Sequence, residues 1–97
     1  MAQYILLINW TEQGIKAIKD APKRADQART VARRFGCEMK ALYMTIGAYD
    51  LVALVEAPDD AAVAKFILAN TSTGNVRTTT LPAFAEDQYR AIIGDLP

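Results

Sequence analysis

The sequence predicts an α+β domain with a ferredoxin-like βαββαβ order and one appended C-terminal helix. Three observations carry that expectation. Strand-like and helical runs alternate as strand, helix, strand, strand, helix, strand. Two of the strand-like runs, YILLI and LVALV, are apolar at every position, as central strands buried from both sides should be, whereas the other two are mixed. The chain has 97 residues, the size of a single domain with little interior volume for a deep enclosed site.

Taken in order, Tyr4 to Trp10 is the first strand and Thr11 the cap of the next helical turn. Residues 12–20 place Ile15 and Ile18 three apart, a short helical stretch stopped by Pro22. Ala21, Ala25, Ala28, Ala32 and Phe35 then form the apolar stripe of an amphipathic helix running from Pro22 to Phe35, with Gly36 as terminator. From Glu38 to Ile46 the pattern alternates, with Lys40, Leu42, Met44 and Ile46 on one side and Met39, Ala41, Tyr43 and Thr45 on the other. Gly47 and Ala48 predict a tight turn into the third strand, Leu51 to Ala57. Pro58, Asp59 and Asp60 open a helix whose inward residues are Ala62, Val63, Phe66 and Ile67, and the polar string NTSTG at 70–74 ends it. Val76 to Leu81 is the fourth strand, and Glu86 to Ile93 a last helix expected to bury Tyr89, Ile92 and Ile93.

Glu38, Lys40, Arg77 and Thr78 to Thr80 assign the second and fourth strands to the sheet edges. Two helices cover only one face of such a sheet, so its other apolar face predicts a partner, and a second copy of the chain is the expected one. At about 25 cal/mol per Å² of apolar area, pairing two such faces contributes on the order of ten kcal/mol before association costs. Charge agrees with self-association. Lys/Arg and Asp/Glu balance at 11 each, but most basic residues precede position 41 and most acidic ones come after it. A neutral chain has no global field drawing it to nucleic acid or an anionic membrane. No apolar run is long enough to span a bilayer, MAQYILLINW reads as a strand and not as a signal peptide, and a single cysteine, Cys37, forbids an intramolecular disulfide. A cytoplasmic location is the expectation.

Three blocks, NWTEQGIKAIKDAPKR, MTIGAYDLVALVEAPDD and GNVRTTTLPAF, carry a resemblance to the GYD-domain family, with its G-x-Y-D motif at Gly47, Ala48, Tyr49 and Asp50. They occur in order and span nearly the whole chain, 1–97, as a single domain. The resemblance implies a ferredoxin-like fold of the dimeric α/β-barrel group, whose members pair sheet to sheet; it implies no reaction.

Histidine is absent, which removes the commonest general base and metal ligand, and no zinc or iron spacing, nucleotide-binding glycine pattern or nucleophile triad occurs. No cofactor and no metal are therefore expected. The remaining candidate site residues are Trp10, Thr11, Tyr43, Thr45, Tyr49, Asp50 and Arg77, with Lys23 and Arg24 near the exit of the first strand. Each also has a structural reading. Asp50 satisfies turn backbone groups, Thr11 caps a helix, Trp10 and Tyr43 pack, and Arg77 pairs with Asp50 or Glu56. The basic series from Lys16 to Arg34 lacks interleaved aromatics and reads as a solvated helix face; Cys37 reads as a packed thiol. Two functional readings remain: a homo-oligomeric small-molecule-binding or assembly module, or a cofactor-independent isomerase or oxygenase using a cleft lined by Tyr49, Asp50 and Arg77.

Overall fold

A computed structural model of the chain describes residues 1–97. The elements are β1 (Ala2–Trp10), α1 (Glu12–Lys16), a 3₁₀ turn at Ile18–Asp20, α2 (Ala21–Arg34), β2 (Glu38–Met44), β3 (Leu51–Ala57), α3 (Asp60–Thr71), β4 (Val76–Ala83) and α4 (Glu86–Gly94). The strands form one antiparallel sheet in the order β2-β3-β1-β4, the ferredoxin-like arrangement. The wholly apolar β1 and β3 are central and the mixed β2 and β4 are the edges, as their polarity requires.

Strand periodicity divides the sheet into two unlike faces. Tyr4, Leu6 and Ile8 of β1 and Ala53, Val55 and Ala57 of β3 are buried beneath α2 and α3, which contribute Ala28, Ala32, Val63 and Phe66. The small alanines of α2 let its backbone lie close to the sheet. Cys37 is buried in the same core, where burial and, secondarily, the Asp59 carboxylate push its thiol pKa up; it behaves as a packed side chain and not as an exposed nucleophile. The opposite face, carrying Ile5, Leu7, Val52, Leu54 and Leu81, has no cover from its own chain; Leu81 is 41% exposed.

Three local expectations are corrected. The simple alternation of β2 fails because a bulge lies between Met39 and Ala41, so Met39 and Leu42 both pack on the core and Lys40 turns to the open face to meet Glu56 at 3.7 Å. The link to β3 is a broad loop over residues 45–50, not a tight turn at Gly47 and Ala48, and β2 stops at Met44. Finally, α4 does not bury Tyr89, Ile92 and Ile93: every residue from Glu86 to Pro97 is exposed, and Tyr89 is 57% exposed. The helix extends beyond the body, which is why the molecule measures 52 × 31 × 17 Å. Its radius of gyration is 14.6 Å, against roughly 12.5 Å for a compact chain of this length.

One partly buried polar contact makes stability depend on pH. The Tyr4 hydroxyl donates to Asp60 Oδ1 at 2.5 Å, and that hydrogen bond, with burial and the charges of Asp60, Asp59 and Cys37, pushes the phenol pKa from 10.0 up to about 12. The folded state thus holds this proton more tightly than the unfolded chain does. Its contribution to stability is whole below pH 10.0 and is lost as the pH rises through about 12. Urea midpoints measured across that window should fall for the natural chain and fall less for Tyr4→Phe, which has no proton to lose; parallel curves would refute the assignment.

Candidate functional site

The residues of the G-x-Y-D loop tie the sheet together. Thr45 donates its N–H to the Asp50 carbonyl at 2.8 Å and its hydroxyl to the Tyr49 carbonyl at 2.6 Å, closing the loop on itself. Asp50 then bridges to β1: its N–H donates to the Ile8 carbonyl at 2.9 Å and its Oδ2 accepts the Trp10 N–H at 3.0 Å. The carboxylate replaces a ladder partner next to the start of β3. Asp50→Ala should cost about 1–3 kcal/mol by orphaning the Trp10 amide, while Asp50→Asn, which keeps an acceptor oxygen, should recover most of it in thermal melts. Equal losses in both variants would assign a role to the charge itself.

Thr11 does cap α1, its Oγ1 accepting the Gly14 N–H at 3.1 Å. It also donates that hydroxyl to the Gly74 carbonyl at 2.6 Å and its N–H to the Asn75 carbonyl at 3.0 Å. Gln13 Nε2 adds donation to the Thr73 carbonyl at 3.1 Å and to Asn75 Oδ1 at 3.0 Å. Together these contacts dock the α3–β4 loop onto the start of α1.

The expected site residues fall on different sides of the sheet. Trp10 continues the series Tyr4, Leu6, Ile8 and lies on the helix side, half-buried. Tyr43, opposite Val52, and Arg77, opposite Asn9, are on the open face but on the two edge strands. Three strand spacings separate those edges, roughly 14 Å. Asp50 and Arg77 flank β1 from either side, and Arg77 pairs with neither Asp50 nor Glu56: Glu56 is taken by Lys40, and Arg77 has no ion pair in its own chain. A single copy therefore does not bring Tyr43 and Arg77 to a common point, and Asp50 and Arg77, the charged pair of the expected Tyr49, Asp50 and Arg77 cleft, stand on opposite sides of β1 without an ion pair between them.

Trp10 is instead near Arg24. The first turns of α2 carry Arg24 beneath α1, where its guanidinium donates to the Ala17 carbonyl at 2.8 Å and the Gly14 carbonyl at 3.1 Å. It lines two adjoining cavities. One, of about 420 Å³, is a polar cleft between α2 and α3 bordered by Gln27, Thr30, Arg34, Asn70 and Asn75. The other, of about 60 Å³, is an apolar recess against Ile8, Trp10, Met39, Leu42 and Leu51. Asn70 and Asn75 escaped sequence reasoning because a run such as NTSTGN looks like any helix-ending loop.

The sheet order and two-helix cover define a ferredoxin-like α+β domain. More narrowly, the chain belongs to the GYD-domain family, whose profile matches residues 4–93. It is similar to a protein of Thermus thermophilus named glutamine synthetase and cystathionine beta-lyase binding protein, 37% identical over 84 residues, covering 86% of this chain and 88% of that one. Among solved structures it resembles MtbAldR (Rv2779c), with a TM-score of 0.67 and 19% identity over 88% of this chain and 54% of that one. It also resembles the feast or famine regulatory protein Rv3291c from M. tuberculosis, complexed with L-methionine, at a TM-score of 0.64 and 22% identity over 91% and 55%. A third likeness, to TTHA0845 from Thermus thermophilus, has a TM-score of 0.56 and 24% identity over 88% and 95%. The chain spans about half the length of the first two of these structures, and at these identities the likeness is one of fold.

Proposed function

We propose that the chain is a non-catalytic binding module that works as a homodimer, with two open sheet faces packed together and the exposed α4 and 45–50 loop offered to a partner protein. The observation that carries this reading is the uncovered row of Ile5, Leu7, Val52, Leu54 and Leu81. An apolar sheet face left in water is a persistent cost, and a second copy supplies a surface of the same shape and character. Exposed side chains outside that row favour a docking role: Met44 and Ile46 are 70% and 95% exposed, and Phe84, Tyr89 and Leu96 lie along the C-terminal segment. The relative named as an enzyme-binding protein, alike over most of both chains, supports protein docking as the use of these surfaces. Arg77, without a partner in its own chain, is available to a carboxylate of the second copy.

Light scattering on the eluting protein tests the assembly. A mass of twice 10.6 kDa at micromolar concentration is expected, and a stable 10.6 kDa particle would refute it. Affinity capture on the immobilised chain, compared with a chain ending at Ala85, tests docking: a protein retained by the whole chain and lost without α4 supports the reading, and identical captures oppose it.

A further inference from the structure

We propose that the helix side of the sheet holds a second, separate site, which binds a small carboxylate with a short aliphatic body between α2 and α3. Arg24 is its anchor. Two of the five guanidinium N–H donors are used by the Gly14 and Ala17 carbonyls, which fix the head group in place, and no carboxylate lies within ion-pair distance of it. A charge held still with donors to spare is prepared for a planar anion.

Its neighbours point the same way. No acidic residue lines either cavity, and Arg34, also without an ion pair, stands farther along the cleft. The Asn70 side chain has no hydrogen-bond partner, and Asn75, whose Oδ1 is occupied by Gln13, keeps its NH₂ free to donate. The carboxyl end of α3 would ordinarily present negative carbonyls to this cleft. Here those carbonyls are occupied: Ile67 accepts from the Thr71 hydroxyl, Leu68 from the Ser72 N–H, Ala69 from the Ser72 hydroxyl, and Asn70 from the Thr73 N–H and hydroxyl. The helix end is thus not left with bare carbonyls, and Arg24, Asn70 and Asn75 bring donors to the cleft.

The apolar recess supplies the other half of the ligand. Arg24, Asn70 and Asn75 border both cavities, so an anion held at their junction has its hydrocarbon end directed past Ala25 towards Trp10, Met39 and Leu51. A space of about 60 Å³ admits a short branched chain and not a ring system. This site lies on the side of the sheet opposite the face proposed to pair, so it is complete in one copy and stands or falls independently of dimerisation.

The test is a two-dimensional ¹H–¹⁵N titration of the whole chain with 4-methylpentanoate, set against isoamylamine, a cation of similar body. The acid should give saturable shifts at the Trp10 indole, Gly74 and the Asn70 and Asn75 side-chain amides, and the amine none. Arg24→Met should weaken binding about tenfold, the usual scale for losing a charged hydrogen-bond partner. Because Arg24 also braces α1, Ala25→Leu provides an independent arm: it fills the recess while keeping Arg24, and should abolish the shifts in a chain whose melt is cooperative. Equal response to acid and amine, shifts centred on Thr79 and Leu54, full affinity in a folded Ala25→Leu chain, or no saturable shift at millimolar acid would each overturn the proposal.

Discussion

Leu54→Asp should turn a dimer of this chain into folded monomers. Leu54 sits on the central β3, between Ile5 of β1 and Ala41 of β2, and its side chain belongs to the face that no helix covers. In a two-fold assembly each substitution is felt twice. Losing the burial of one leucine costs about 1.5–3 kcal/mol, so the pair loses about 3–6 kcal/mol, on the order of a hundredfold or more in dissociation constant. Desolvating two carboxylates adds to that. The helix-side core is untouched, so far-ultraviolet dichroism should be retained while sedimentation equilibrium reports half the mass. A variant that sediments like the natural chain would show that this face is not the interface.

The second large effect is on folding. In Gly14→Ala the new Cβ would stand 2.2 Å from the Asn75 carbonyl oxygen. That oxygen cannot retreat freely, because it accepts the Thr11 N–H at 3.0 Å immediately before β4 begins. Nor can α1 rise without disturbing the Gly14 carbonyl that anchors Arg24. A loss of about 3 kcal/mol or more is expected, the upper range for overpacking, from a total of about 5–15 kcal/mol. The melting temperature should drop by on the order of 15 °C. Gly47→Ala is the control, since its Cβ would meet nothing within 4 Å and the melt should hardly move. If the two variants melt together, the close approach of α1 to the α3–β4 loop is not a constraint on this fold.

Much of this architecture was legible in the residues because burial leaves a period. Two-sided apolar runs marked β1 and β3 as central, the alanine stripe marked the inward side of α2, and Thr11 announced its cap. What failed to show was of another kind. A bulge moves one residue out of register without changing the composition around it, so Met39 and Leu42 seemed to belong to opposite faces. The amphipathic pattern of α4 states that the helix has an apolar side but not what lies against it, and in one copy nothing does. For the site, parity alone separates Trp10 from Tyr43 and Arg77. Arg24 was visible as a residue near the strand exit, but the two carbonyls that brace it come from α1 and the bend beyond it, and its lack of a counter-ion is a property of the whole surface.

The bulge in β2 and Pro82 in β4 bear on how far association can go. One rim of the sheet is kinked at Met39–Ala41 with Lys40 beside it, and the other includes a residue with no amide hydrogen to donate. Neither rim is a good template for another strand, so lateral growth into ribbons is discouraged at both ends. Stacking face on face, as proposed, would instead consume the one apolar side of each sheet that its own helices leave open. In the proposed dimer, association therefore stops at a finite particle, and fibrils should be rare even in concentrated preparations.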